Sequence, residues 1–539
     1  MTVLLTRLAV LQAAIEDTYN TPKSVGVNDG FLVENPVFTI KPNILKRNFV
    51  HNDLSPMAHI IGRKIASMEF TTELRGNGLQ NSGLVANAPM IARLFQACGY
   101  NLTGSDMPSV MGPFQVGNEA DPVAWTISSV ATAGNIFTET SSNNFLATDT
   151  FTIGNVTYTF ASSASAPNEV AVGANFAAAA ANLVAAIMGT GTPGTGTYGV
   201  GTTAQTEVSA VFATTIAFTS LIAGADGNAV PCHYVASGTA AGALAGGHTT
   251  LLYGGVNDAT NTDVICYYLT VTTPGVSGTA AITVTSDVVG ESNTSALVTT
   301  ASPFTVGTKG LTVTPVFTGS LVSGQTWVIW LMPPGLLLTP ESSNFQSLTL
   351  VLHKSGVMHQ MPGSFGTFDI TAAAGNFATI KWVFTGTFVE PTDDPNPSPV
   401  FETTLPSQVQ LARLWVNGFN AIVEKFTFNQ MNDIQIRPDV SSSDGYNGVR
   451  ITGRNPEGGI DPEADLVANN DFWGNFSAAQ RMPYQMRVGT DVGNTIWCVA
   501  PNTQYTGLSY QDRNGILAYQ AGMSFSRSLG NDEFFMFFA

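Results

Sequence analysis

Two stretches of this chain repeat each other 390 residues apart, and that repeat restricts its architecture more than any other feature. FTIKPNILKRNF (38–49) resembles FNQMNDIQIRPD (428–439), with Phe38 falling on Phe428 and Arg47 on Arg437. HIIGRKIASMEFTTEL (59–74) resembles RITGRNPEGGIDPEADL (450–466), bringing Gly62-Arg63 onto Gly453-Arg454. PMIARLFQACG (89–99) has a counterpart in DFWGNFSAAQR (471–481), and VLHKSGVMHQMPG (351–363) falls on MRVGTDVGNTIWCVAPNTQ (486–504). Each match is weak alone. Their common order points to a duplicated module, with the first copy interrupted by a long insertion.

Composition marks the insertion. Only 11% of the chain is charged, against about 25% in ordinary globular proteins. Residues 126–335 hold one cation, Lys309, against nine carboxylates, a net of −8 that leaves −9 of the chain's −17 to the rest. A net charge this negative excludes nucleic-acid binding by counterion release, which needs Lys and Arg on the phosphates. Abundant Thr, Ser, Gly and Val favour strands and turns over helices.

The expected fold is mainly β, in four domains. Residues 1–125 with 336–399 make the first, discontinuous module, and 400–539 the second, each a β-sandwich or barrel with a flanking helix. Residues 126–256 make a small inserted α+β domain. It has a hairpin at DTFTIGNVTYTF (149–160), a helix at NFAAAAANLVAAIM (175–188) and a further strand at TTIAFTS (214–220). Residues 257–335 make an all-β, immunoglobulin-like domain. Its alternating segments are 266–273, 279–286, 310–317 and 326–332. The opening MTVLLTRLAVLQAAIEDTYN is read as a short helix rather than a signal peptide. No apolar run is long enough to span a membrane as a helix, so no membrane insertion is expected.

The segments that could carry chemistry are explained better by structure. VLHKSGVMHQMPG gathers His353, Met358, His359 and Met361, but it lacks a nearby carboxylate or third imidazole and reads as a hairpin. GTGTPGTGTYGVG (189–201) lacks the Lys-Ser/Thr of a phosphate-binding loop. TDDP (392–395) lies in a Pro-rich linker. Cys98, Cys232, Cys266 and Cys498 have no metal-ligand spacing and read as free thiols. No catalytic residue, metal site or cofactor is expected, and the chain is not read as an enzyme.

Several segments outside the insertion resemble the tail tube (major tail) proteins of long-tailed bacteriophages. They are LLTRLAVLQAAIEDTYNTP, FQACGY (95–100), GVMHQMPGSFGTF (356–368), WVFTGTFVEPTD (382–393) and GNDEF (530–534). The resemblance covers roughly 1–125 and 336–539. It implies modules set side by side in rings that stack into a tube, through which genomic DNA passes without specific binding. Tape measure, tail terminator and tail tip proteins are the implied partners. The virion tail, assembled in the bacterial cytoplasm, is the implied location. Two modules per chain would make the sixfold ring a trimer. An acidic lumen would keep DNA near the axis.

The resemblance also implies ring-to-ring contacts from a loop between two early strands. That loop is 48–60 in the first copy and 438–449 in the second, with His51, Asp53, Leu54, Asp439, Asp444 and Tyr446 as candidates. The inserts are similar to accessory domains of virion proteins. They are expected to project outward, with host-surface glycans as their candidate partner. Their bulk favours a non-contractile tail.

Two alternatives stay within the virion: a terminator or tail-tip ring, and a glycan-binding adhesin carried by the inserts. The adhesin wants an exposed aromatic platform, yet Trp327 and Trp330 fall on opposite faces of one strand. A polysaccharide hydrolase would need paired carboxylates in a cleft.

Overall fold

The computed structural model describes the chain except residues 1–4, 6, 51, 56, 79–84, 86–87, 106–108, 117–123, 128–133, 138–144, 146, 154–155, 195, 206–207, 213–215, 221–231, 236–263, 294, 299–303, 310, 317–319, 411–412 and 492. The described residues are mainly β, with several sheets and helices α1 (Ala92–Gln96), α2 (Phe176–Met188) and α3 (Phe472–Ser477). They form two compact units. Unit 1 is 1–104, 114–120 and 335–539, and unit 2 is 105–113 and 121–334.

In unit 1, β1 (Ala9–Ile15), β2 (Gly30–Phe31), β3 (Glu34–Leu45), β4 (Ile60–Glu73) and β5 (Tyr100–Ser105) come first. Next are β6 (Gly335–Pro340), β7 (Leu348–Lys354), β8 (Val357–Ala373), β9 (Thr379–Thr387) and β10 (Thr392–Asp393). The C-terminal half starts with β11 (Leu414–Val416), β12 (Phe419–Asn420), β13 (Val423–Asn429), β14 (Asn432–Pro438), β15 (Tyr446–Arg454) and β16 (Glu457–Pro462). It ends with β17 (Met482–Val488), β18 (Ile496–Arg513), β19 (Ile516–Ser526) and β20 (Phe535–Phe538).

The same antiparallel pairing recurs in both halves. β1 pairs with β2 and β7, as β11 pairs with β12 and β17. β7–β8–β9–β4–β3 lie in that order, and β17–β18–β19–β16–β13 repeat it. β10 returns to the start of β8, and β20 to the start of β18. Phe38 faces Met68 across β3 and β4, and Phe428 faces Gly458 across β13 and β16. Both residues of each pair differ by the offset read from the sequence.

Period-two alternation gives the sheet a dry face. Met68, Phe70, Phe368, Ile370, Trp382 and Phe384 are buried there with Leu94 and Phe95 of α1. Phe95 meets Phe368 and Trp382 edge-on at 4.9 and 4.8 Å. Trp382 is fully buried, and its indole N–H donates to Thr72 Oγ1 at 2.8 Å, so its polar atom is satisfied. α1 is short, and Gly99 follows it at φ +85°, a conformation open to glycine.

The opening segment is a strand, not the expected helix. Its Ala, Leu and Gln content favours a helix locally. Ala9–Ile15 nevertheless pairs with Leu348–Lys354 over seven consecutive positions and puts Leu11 and Ala13 into the core. Tertiary pairing overrides local propensity here.

In unit 2, α2 runs from an N-cap at Asn175, whose side chain accepts from Ala178 N, to Gly189 at φ +63°. It packs on the hairpin strands Thr150–Ile153 and Val156–Ala161. The hairpin's central Gly154-Asn155 lies outside the described residues. A second core joins Ile265–Thr273, Ala281–Ser286, Leu311–Val316 and Thr326–Met332. Two earlier strands complete its sheets. Ser109–Val116 lies beside Thr326–Met332, and Ala124–Ile127 pairs with Leu311–Val316. The compositional boundary at 125–126 therefore falls inside a strand of the all-β part. Its sheets take in residues on both sides of the α+β segment, a closure that charge counting does not register.

Candidate assembly interface

The two halves of unit 1 meet along strand edges. The end of β8 has β9 on one side and β13 on the other, with Asp369 opposite Asn429, Ile370 opposite Phe428 and Thr371 opposite Thr427. One sheet thus runs through both copies. Short polar contacts hold the register. Gln430 N donates to Phe368 O at 3.0 Å, and Tyr100 donates to Gln430 Oε1 at 2.9 Å. The Asn432 amide bridges the carbonyls of Cys98 and Gly366 at 2.7 and 2.8 Å.

The β14–β15 hairpin extends the β13–β16 pair and lies against the N-terminal half. Val449 and Ile451 pack with Phe365, alongside Tyr19, Phe345, Ile434 and Ile436. The Tyr19 hydroxyl donates to Val449 O at 2.6 Å and accepts from Val449 N at 2.7 Å. Arg450 spreads its guanidinium over Tyr19, Phe345 and Phe365 at 5.8–5.9 Å. Gly448 sits at φ +72°, and a Cβ there would lie 2.0 Å from the Tyr19 hydroxyl, so this contact requires glycine.

The matching edges at the outer ends of this sheet are bare. Among the described residues β3 pairs with β4 alone, and residues 509–513 of β18 pair with β19 alone. Ile370 is 0% exposed beneath β13, whereas Tyr510, its counterpart in the second copy, is 57% exposed. Phe428 is 1% exposed, whereas its counterpart Phe38 is half-buried and its neighbour Val37 is 50% exposed. Ile44, Leu45, Ile60 and Ile61 on the β3–β4 hairpin are also exposed. Uncovered edges with apolar side chains are templates for another chain.

The candidate loop residues separate into groups. His51 lies outside the described residues. Asp53 and Leu54 lie between β3 and β4, where Asp53 accepts from Ser55 N at 2.8 Å and Leu54 is fully exposed. Asp439 and Asp444 lie in the equivalent β14–β15 turn. Asp439 accepts from Ser441 N at 2.8 Å, and Asp444 is exposed. Tyr446 differs from the others. It is buried, and its hydroxyl donates to Lys64 O at 2.7 Å, so it serves the junction inside the chain. Burial pushes its pKa above the usual tyrosine value. An open groove of about 590 Å³, lined by Leu45, Ile61, Lys64, Phe388 and Asp444 among others, separates the two hairpins.

VLHKSGVMHQMPG is the β7–β8 hairpin, with His353 opposite Met358 and a turn at Ser355 and Gly356, both at positive φ. His353 is buried and 3.8 Å from Asp394, and His359 stacks on Phe38 at 4.5 Å. Burial, reinforced by Lys354, lowers the His359 pKa and favours its neutral form. Among the described residues no group of three His, Cys, Asp or Glu side chains is placed to hold a metal. Trp327 and Trp330 are both buried and form no exposed platform.

The open face of the shared sheet mixes threonines, among them Thr71, Thr367, Thr371, Thr379 and Thr427, with charged side chains. Asp369 stands opposite Lys381, and Lys381 reaches diagonally to Glu69 of β4 at 2.7 Å, Thr71 being its direct partner there. Partial burial raises the Asp369 carboxyl pKa, and Lys381 opposes that shift.

Sequence reasoning placed contacts in the loops and missed the edge residues Val37, Phe38, Tyr510 and Gln511. The repeat is the signal that could have pointed to them, because each edge residue has a counterpart in the other copy at the internal joint. A scan against protein-family models and a search of curated proteins both find no match.

Proposed function

We propose that this chain is the ring-forming subunit of a bacteriophage tail tube. Three copies supply six modules that close head to tail. The rings stack into a conduit for DNA, and no residue acts catalytically. The observation that carries this reading is the β8–β13 joint between two like modules, with both halves of the same joint left bare at the outer edges of the sheet. A heterologous contact of this kind builds closed rings or open filaments, and a ring is the closed solution.

The open sheet face suits the wall of such a conduit. At its centre Glu69, Asp369 and Glu457 stand against Lys381, so carboxylates outnumber cations there. It offers few cations to grip phosphates. The exposed Leu54 and Val440 at the equivalent hairpin tips are the proposed contacts between rings. The buried Trp327 and Trp330 weigh against a glycan-binding role for that strand.

Negative-stain microscopy of the concentrated protein tests the reading. Six-lobed rings or tubes with three chains per ring are expected. Chains that remain monomeric at every concentration would remove it.

A further inference from the structure

We propose that β3 of one chain pairs antiparallel with the free edge of β18 in the next, with Val37 opposite Gln511, Phe38 opposite Tyr510 and Thr39 opposite Ser509. The occupant of each bare edge is a second copy of this chain. The register follows from the internal joint and rests on the head-to-tail arrangement proposed above.

The mapping uses only observed pairings. Met68 and Gly458 are equivalent through their partners Phe38 and Phe428. They face Phe384 and Met523, which aligns β9 with β19. Trp382 and Ala521 then face Phe368 and Leu508, so Ile370 corresponds to Tyr510 and Thr371 to Gln511. Inside the chain Ile370 faces Phe428 and Thr371 faces Thr427. Transfer to the outer edges places Tyr510 on Phe38 and Gln511 on Val37. Both receiving strands carry a one-residue irregularity within one residue of the matching place, Glu34/Val37 in β3 and Val423/Phe426 in β13, so both bend near the same point.

The two joints differ in chemistry. Inside the chain Gln430 and Asn432 lock the register with hydrogen bonds. Their counterparts in the first copy are Ile40 and Pro42, which lack the side-chain amides that accept from Tyr100 and donate to the carbonyls of Cys98 and Gly366. Between chains the register depends on main-chain pairing and on covering Val37, Ile40 and Tyr510. Tyr510 is already aligned by Trp473 at 5.6 Å and Tyr519 at 5.1 Å. That arrangement separates a joint made once during folding from one made on assembly.

The test is the full-length variant Val37→Cys/Gln511→Cys, oxidised under assembling conditions and run on a non-reducing gel. Directly opposed strand residues fall within disulfide reach, about 4.4–6.8 Å between Cα atoms. Cross-linked species ending at three chains are expected, collapsing to monomer on reduction. A mixture of the two single variants should stop at two chains. The shifted pair Lys41→Cys/Gln511→Cys should lose the cross-link. Rings without the Val37–Gln511 cross-link, or with the shifted one instead, would overturn this register and leave the tube reading standing. Cross-links running past three chains would support the register and overturn the closed trimer. Persistent monomer would overturn both.

Discussion

Glu16 shows how much a single residue can hold. It is 6% exposed, and its carboxylate accepts from Ser347 Oγ at 2.6 Å and from Thr349 Oγ1, Gly363 N and Asn20 N at 2.8 Å each. Glu16→Ala should strand these donors and cost about 3 kcal/mol in urea unfolding, with Glu16→Gln losing less. In unit 2, Glu291 accepts from Tyr267 at 2.9 Å and from Thr308 N and Oγ1 at 2.9 and 2.7 Å. Burial pulls its pKa up, but these bonds and Lys309 outweigh burial, and the net shift is downward. A carboxyl lowered in the fold contributes stability above its unfolded value of 4.5 and loses it as pH falls through the folded value. Melting of unit 2 should therefore drop with acid below that value, and Glu291→Gln should flatten the drop. Burial raises the thiol pKa of Cys98, Cys266 and Cys498, so iodoacetamide should leave all three unlabelled until the protein unfolds.

At the scale of elements, Tyr19 ties the β14–β15 hairpin to the N-terminal half through two hydrogen bonds to Val449. Tyr19→Phe removes both hydrogen bonds to Val449 and should cost about 1–2 kcal/mol. Hydrogen exchange at 446–451 should rise while the sheet centre at 366–371 stays protected. Equal loss of protection in both places would show that the hairpin and sheet unfold as one. β1 carries the complementary lesson. Its sequence suits a helix, but an open edge on β7 captured it as a strand.

For the whole molecule, β5 and β6 lie paired in unit 1, with Thr103 Oγ1 donating to Leu337 O at 3.4 Å. The chain therefore leaves unit 1 and returns to it at neighbouring points, the geometry in which long insertions are tolerated. Replacing 106–333 with an Asn-Gly turn removes unit 2 and also residues 114–120 of unit 1, where Phe114 lies 6.2 Å from Phe535; the remaining unit 1 should still fold and assemble, with ring size measured by mass photometry. A folded but monomeric product would assign unit 2 a part in assembly.

The sequence by itself determined the mainly β character, the duplication with its offset, the low-charge insertion and α2. Period and composition are local, and they survive without knowledge of partners. Only the tertiary structure decided that residues 9–15 are a strand, that the all-β part takes in residues before 126, and that Tyr446 is buried. Only the structure separated Ile370 from Tyr510, alike in sequence position yet one covered and one bare. Such distinctions depend on which edge finds a neighbour, and that is set by residues hundreds of positions away.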